Sequence, residues 1–383
     1  MTPFDFQPRT RMVFGPGSVD RLGELAGEMG VRRAMLVSDP GLKAVGHTQR
    51  GIDALERAGI ETSHFDDVHE NPTTLDVEAA LGVARRYEPE LLVGLGGGSS
   101  MDCAKGVNFL YSNGGRMQDY WGVGKALRPM LPMIAIPTTA GTGSEMQSFA
   151  LISDAETHVK MACGDKKASC RVAILDPELT LTQPRRVTAL TGIDAVAHAV
   201  ETFVTNRRNP ASLAFSREAW LLLATHFRRV LDNPQDLQAR GGMQLGASFA
   251  GLAIENSMLG AAHALANPLT AHFGIAHGQA VGLMLPHVVR FNGLVHGDMY
   301  RDMLEATAGV DGMPEPEQGA EALADFLTEL VAGAGLKTHL NDFDVADDKL
   351  SDLAADAAKQ WTGSFNPRPV DHDALLGIYR AAV

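Results

Sequence analysis

A chain of 383 residues, 45% hydrophobic and 21% charged, is long enough for about two domains with a sizeable core. Its formal net charge of −13 argues against nucleic acid or an anionic membrane as partner, since both need a basic face, and favours a small-molecule enzyme. The opening MTPFDFQPRTRMVFGPG lacks the basic-then-apolar order of a signal peptide, and no run of eighteen apolar residues marks a membrane span. Cys103, Cys163 and Cys170 fit neither a zinc ribbon nor a disulfide framework, so the expected compartment is a reducing cytoplasm.

After a turn at Gly15-Pro16-Gly17, short apolar runs alternate with helical patterns, which predicts βαβ units and a mostly parallel sheet. The strands expected are Ala34 to Ser38, Leu91 to Leu95, Met133 to Pro137 and Val172 to Leu175; the helices are His47 to Ala58, Thr74 to Tyr87 and Ser100 to Leu110. In such a sheet the ligand sits beyond the carboxyl ends of the strands. At the first of these ends Asp39 can accept hydrogen bonds from a ribose diol and repel a 2′-phosphate, although Asp-Pro-Gly is equally readable as a turn.

The second end opens into Gly96-Gly97-Gly98-Ser99-Ser100-Met101-Asp102 and a helix bearing Lys105. Glycines let a pyrophosphate approach the backbone and the helix start offers free N–H groups, while Ser99 with Asp102 resembles a helix cap. The run is not the GxGxxG fingerprint, and a plain strand-to-helix turn explains it as well. The third end carries Thr138-Thr139-Ala140-Gly141-Thr142-Gly143-Ser144-Glu145, whose donors can hold phosphate, ribose or a nicotinamide amide, or else bond their own backbone.

From about residue 181 long helical stretches rich in Ala and Gly take over, giving a division into 1–180 and 181–383 with a ligand cleft expected at the boundary. Gly241 to Ala266 reads as a buried helix, Ala320 to Gly335 and Ala346 to Gln360 as amphipathic, peripheral ones. Within TGIDAVAHAVE, Asp194 and His198 are separated by about 6 Å of rise and about 40° on a helix, so both can reach one ion. The segment from Gly260 to His287 adds His263, His272, His277 and His287. A straight helix would hold His263 and His277 about 21 Å apart. A helix ending near Ala266, a reversal through Pro268 and Gly274, and a second helix after His277 would bring them together. One carboxylate with three imidazoles suits Fe²⁺ or Zn²⁺ and leaves room for a substrate oxygen.

GGGSSMDCAK, PTTAGTGSE, TGIDAVAHAVE, the His263 and His277 segment, and Asn366-Pro367-Arg368-Pro369 together resemble the iron-containing alcohol dehydrogenase family over nearly the whole chain. The resemblance implies an α/β N-terminal Rossmann-like domain followed by an all-α C-terminal domain, the dehydroquinate synthase-like fold, and a homodimer or larger homo-oligomer. It implies Asp194, His198, His263 and His277 as metal ligands. The nucleotide contacts it implies are Asp39, Asn71, Gly98, Ser99, Thr138, Thr139, Phe149, Lys160 and Leu179, with Gly96, Gly97, Asp102 and Thr142 in the same loops. Two positions depart from the family: Asn267 stands where many members have a histidine, and Gln147 where many have threonine near the nicotinamide. Asn cannot titrate near neutral pH, so Asn267 is left to hydrogen-bond cofactor or substrate, and nearby His272 reads as a packed histidine.

The activity this implies is metal-assisted hydride transfer between NAD(H) and a small alcohol or aldehyde, with the ion acting on the substrate oxygen as a Lewis acid. Iron is the family expectation and zinc an alternative. Phe149, Met258 and Leu259 favour a small uncharged substrate. Three rivals share parts of the pattern: a dehydroquinate synthase-like lyase, a metal-independent maleylacetate reductase-like enzyme and a non-catalytic NAD-binding sensor. The lyase needs a dense set of Lys and Arg, and neither occurs between Leu245 and Val289.

Overall fold

A computed structural model describes residues 3–383, which form two compact units. One comprises Gln7–Thr139 and Gly143–Gln183; the other comprises residues 3–6, Ala140–Thr142, and Pro184–Val383.

Among the described residues the first unit contains all the strands: β1 (Arg11–Phe14), β2 (Arg33–Val37), β3 (Glu61–Phe65), β4 (Leu91–Gly96), β5 (Gly122–Val123), β6 (Met133–Pro137), β7 (Phe149–Ser153), β8 (Lys160–Gly164) and β9 (Val172–Leu175). Its helices are α1 (Leu22–Gly27), α2 (Pro40–Ala44), α3 (His47–Arg57), α4 (Thr74–Tyr87) and α5 (Gly98–Asn113). Six strands pair in parallel in the order β1-β9-β6-β4-β2-β3, and β5, β8 and β7 form a separate small sheet. Alternate side chains of the large sheet feed two cores: Met35, Val37, Leu92, Met133 and Ala135 pack on one face, Leu36, Val93, Leu95, Ile134 and Ile136 on the other. Both faces are therefore covered, which is why the central strands read as continuous apolar runs.

The second unit is helical: α6 (Arg185–Val204), α7 (Pro210–Asp232), α8 (Leu237–Asn256), α9 (Ala261–Phe273), α10 (His277–Glu305), α11 (Gly319–Gly333), α12 (Leu350–Ala357) and α13 (His372–Ala381). The α6 helix is long and apolar enough to cross a membrane by composition, but 83% of that stretch is buried inside the protein, as befits a central core helix. Its small residues let neighbours approach closely. A Cβ at Gly278 would lie 2.1 Å from the Leu190 carbonyl oxygen, so only glycine in the first turn of α10 lets that helix end lie against α6.

The sequence expectation for this half needs two corrections. Gly241 to Ala266 is not one helix: it breaks after Asn256 and restarts at Ala261. Pro268 does not end the second piece. It sits inside α9, which continues to Phe273, and the reversal falls at Gly274–Ala276. Proline removes one N–H and hence one helical bond, a local loss that the surrounding buried side chains of α9 outweigh. In the first unit the sequence reading passed over β1 and β3 of the large sheet and all of the small sheet; β3, Glu-Thr-Ser-His-Phe, is mostly polar and nowhere buried.

Candidate functional site

Three helices of the second unit bring four side chains together. Asp194 and His198 lie one turn apart on α6, His263 is the third residue of α9, and His277 is the first residue of α10. Asp194 Oδ1 is 3.5 Å from His198 Nε2, 3.4 Å from His263 Nε2 and 3.7 Å from His277 Nε2. The donor atoms of Asp194, His263 and His277 all lie within 4.8 Å of one another. The His198 and His263 rings stack with centroids 4.9 Å apart.

What these atoms do to each other decides their chemistry. Asp194 Oδ1 and His263 Nε2 are buried and have no hydrogen-bond partner. A buried acceptor without a donor costs about 1–3 kcal/mol, more when charged, unless something positive stands between. The other ring nitrogens are already committed: His263 Nδ1 meets Glu201 Oε2, and His198 Nδ1 lies 3.3 Å from the Gly141 carbonyl oxygen. With Nδ1–H donating outward, both rings turn Nε2 toward Asp194. A ligand bond of about 2.1 Å in a tetrahedral site implies donor–donor gaps of about 3.4 Å, close to those found. The donor set therefore fits a divalent ion.

The electrostatics agree. Burial alone would raise the Asp194 carboxyl, yet the three imidazoles hold it well below the usual carboxylate range. Burial pushes His198 down, toward the neutral imidazole that can ligate. His263 is pushed up to about 9, because Glu201 and Asp194 outweigh its burial. The cluster thus attracts positive charge, as a proton or as a metal ion.

The other two histidines of the segment lie elsewhere. His272 is exposed, not packed, and its Nε2 is 2.8 Å from Asp356 Oδ2. His287 is largely buried without a carboxylate beside it, and burial pushes it down to about 4. Asn267 donates through Nδ2 to Gln360 Oε1 at 3.0 Å, which ties it to the segment following α12. Glu201 is the residue that sequence reasoning missed. It closes the motif TGIDAVAHAVE seven positions after Asp194 and so shares its helix face, which was the available signal.

In the first unit the loops at the strand ends are built from backbone. Gly96 ends β4 at φ +154, where a Cβ would meet Ser100 Oγ at 2.4 Å, so the bend into α5 requires glycine. Gly97 is the N-cap of α5 and Gly98 its first residue; no side chain caps this end, so its first N–H groups are left for a ligand. The expected Ser99–Asp102 cap is absent. Ser99 Oγ accepts instead from the backbone N–H of Asn71, whose Oδ1 accepts from Lys160 Nζ at 3.3 Å. Asp102 is buried and turned inward, accepting from Ser144 Oγ and from the Leu151 N–H. Beside it the fully buried Lys105 donates to the carbonyls of Ser144, Gln147 and Phe149 and to Ser144 Oγ.

Asp102 and Lys105 together therefore shape the loop that carries Gln147 and Phe149. Asp39 caps α2 through the Leu42 N–H and also accepts from Ser100 Oγ. Thr138 is buried with its N–H on the Gly96 carbonyl, and Thr139 lies 3.4 Å from where a Gly97 Cβ would stand. Thr142 is grouped with the helical unit, apart from the other hydroxyls of its loop. The Leu179 side chain is fully buried in the sheet core, its N–H donates to the Asp176 carbonyl, and its carbonyl accepts from Thr182 Oγ1.

Comparisons with known proteins show the family. A family model described as iron-containing alcohol dehydrogenase matches residues 8–177, and one described as Fe-containing alcohol dehydrogenase family, C-terminal, matches residues 188–383. The chain is 35% identical to alcohol dehydrogenase 4 of Schizosaccharomyces pombe, over 97% of this chain and 87% of that one. It is 31% identical to the NAD-dependent methanol dehydrogenase of Bacillus methanolicus over the full length of both. The crystal structure of sulfoacetaldehyde reductase from Bifidobacterium kashiwanohense in complex with NAD+ superimposes with a TM-score of 0.91 at 28% identity, covering 100% of this chain and 99% of that one.

Proposed function

Because this chain belongs to the iron-containing alcohol dehydrogenase family, we propose that Asp194, His198, His263 and His277 are its iron ligands, with residues 1–180 serving NAD and residues 181–383 serving metal and substrate. As a member of that family it is an NAD-dependent oxidoreductase that transfers a hydride between the nicotinamide and an alcohol or aldehyde. One observation carries the ligand assignment: the partnerless, buried Asp194 Oδ1 faced by three imidazole nitrogens.

A divalent ion held there supplies Lewis acidity toward a substrate oxygen. The chain's own groups do the rest. His198 and His263 turn Nε2 toward Asp194 because their Nδ1–H groups are bound to Gly141 and Glu201, and an ion there would replace the proton that His263 otherwise carries. The uncapped start of α5, with Gly96, Gly97, Gly98 and Ser99, receives the pyrophosphate. Asp39 takes the ribose diol and disfavours a 2′-phosphate. Asn71 and Lys160 add polar contacts, and Thr138, Thr139, Thr142, Gln147 and Phe149 supply donors and an apolar wall for the nicotinamide side. Asp102 acts indirectly, by holding the loop, and Leu179 joins the nucleotide set on the family likeness. Asn267 orients through Gln360 without exchanging a proton.

A screen of NADH oxidation over short uncharged aldehydes, with metal content measured on each sample, tests the assignment. Turnover should rise with bound iron or zinc and consume NADH stoichiometrically. Equal turnover by metal-free protein, or product formation without net NADH loss, would overturn it. The family likeness also supports a homodimer or larger homo-oligomer, to be read by light scattering. The three free, buried cysteines support a cytoplasmic enzyme, and the net charge of −13 supports one with neither a nucleic-acid nor a membrane partner.

A further inference from the structure

We infer that Glu201 is the positioning residue of the metal site, holding His263 in the one orientation and tautomer that aims Nε2 at Asp194. The inference rests on the ligand assignment above and extends it to a group that touches neither ion nor substrate.

Glu201 is 3% exposed, and both of its oxygens are used on the first turn of α9. Oε1 accepts from the Ala262 N–H at 2.7 Å, and Oε2 accepts from His263 Nδ1–H. One rigid carboxylate from α6 thus fixes both the backbone and the ring of the residue that follows. The N-cap residue Gly260 has no side chain to offer, and Asn366 Oδ1, which also accepts from Asn292 Nδ2, takes the neighbouring Ala261 N–H at 3.3 Å and not those of Ala262 or His263. The linker just before it holds Met258 at φ +152, a conformation that costs about 1–3 kcal/mol and persists only where surrounding contacts impose it. Charge gives an independent reason. Asp194 and Glu201 are both buried, and with three neutral imidazoles between and around them they balance one divalent cation, leaving the closed cluster neutral. A helix cap alone needs no such balance; a neutral acceptor would serve.

The test is Co²⁺ titration of chelator-stripped full-length protein, following both affinity and the visible absorption of the bound ion, with NAD affinity measured alongside. In Glu201→Gln the amide keeps one acceptor but cannot serve both N–H groups, so Co²⁺ affinity should fall about 10–100-fold and the absorption band should change, as for loss of an outer-shell partner. NAD affinity should stay within about twofold. Glu201→Asp retains the charge on a shorter arm and should recover part of the loss; it also carries the test if the glutamine variant fails to fold. Asn366→Ala removes a cap from the same helix end while leaving the His263 contact, and should weaken Co²⁺ much less. Wild-type affinity and spectrum in Glu201→Gln, or an equal loss in Asn366→Ala, would reduce Glu201 to a helix cap. Wild-type Co²⁺ binding by His263→Ala would instead overturn the ligand assignment itself, which keeps the two failures distinct.

Discussion

The two units solve the problem of holding a ligand in opposite ways. The helical unit uses side chains: four ionisable groups facing a common point, with His198 and His263 fixed from behind through Nδ1. The α/β unit offers backbone: glycines where a Cβ would collide, an uncapped helix start, and buried polar residues, Asp102 and Lys105, that shape a loop. The difference teaches where single substitutions bite. A side-chain site loses its ligand when one group is removed, whereas a backbone site is damaged by adding atoms.

The strongest way to break this contrast is to remove a first ligand. Asp194→Ala should lower metal affinity by more than about 100-fold, since even outer-shell partners are worth about 10–100-fold. NAD affinity should be unchanged by isothermal titration; parallel loss of both would dissolve the distinction between the units. Next in size is a comparison of two buried histidines, one with a carboxylate partner and one without. His287 ionises at about 4 in the folded chain against an ordinary 6.5. The unfolded chain therefore takes up its proton first, so stability contributed by neutral His287 is intact above 6.5, falls as pH drops from 6.5 to about 4, and changes no further below. At about 1.36 kcal/mol per pKa unit the loss is roughly 3 kcal/mol. His287→Gln should flatten urea-derived stability across that window; an unchanged slope would show that burial does not govern this group.

In the α/β unit the matching test adds one carbon. Gly96→Ala meets Ser100 Oγ and a positive φ, and should cost about 1–3 kcal/mol in denaturant stability together with weaker NAD binding. Asp39→Gly should shift the NADPH to NADH rate ratio upward and, by removing the α2 cap, cost about 1 kcal/mol. A ratio that stays put would remove Asp39 from the ribose site. The smallest effect belongs to His272→Ala, where an exposed pair with Asp356 contributes about 0–1 kcal/mol and metal affinity should not move.

The same contrast governs how far the sequence could be read. Asp194 and His198 were legible because helical spacing alone places them together, and the interior strands because burial on both faces makes them continuously apolar. The edge strand β3, Glu-Thr-Ser-His-Phe, carries no such signal: its pairing with β2 comes from the sheet, not from its own composition. Pro268 misled because local rules charge proline the full cost of a broken helix, while in α9 tertiary burial outweighs it. Ser99 and Asp102 looked like a cap at the right spacing, but partners 28 and 42 residues distant claim both side chains. Glu201 was written in the motif and given no role, because its partner His263 lies 62 residues away and only the fold supplies it.

The central claim is that one ion is shared by Asp194, His198, His263 and His277, and the most direct test is stoichiometry. Protein stripped by chelator and reloaded with Fe²⁺ under anaerobic conditions should hold one ion per chain in the wild type and close to none in Asp194→Ala and His263→Ala, with all three folded by circular dichroism. One ion per chain in both variants would contradict the account.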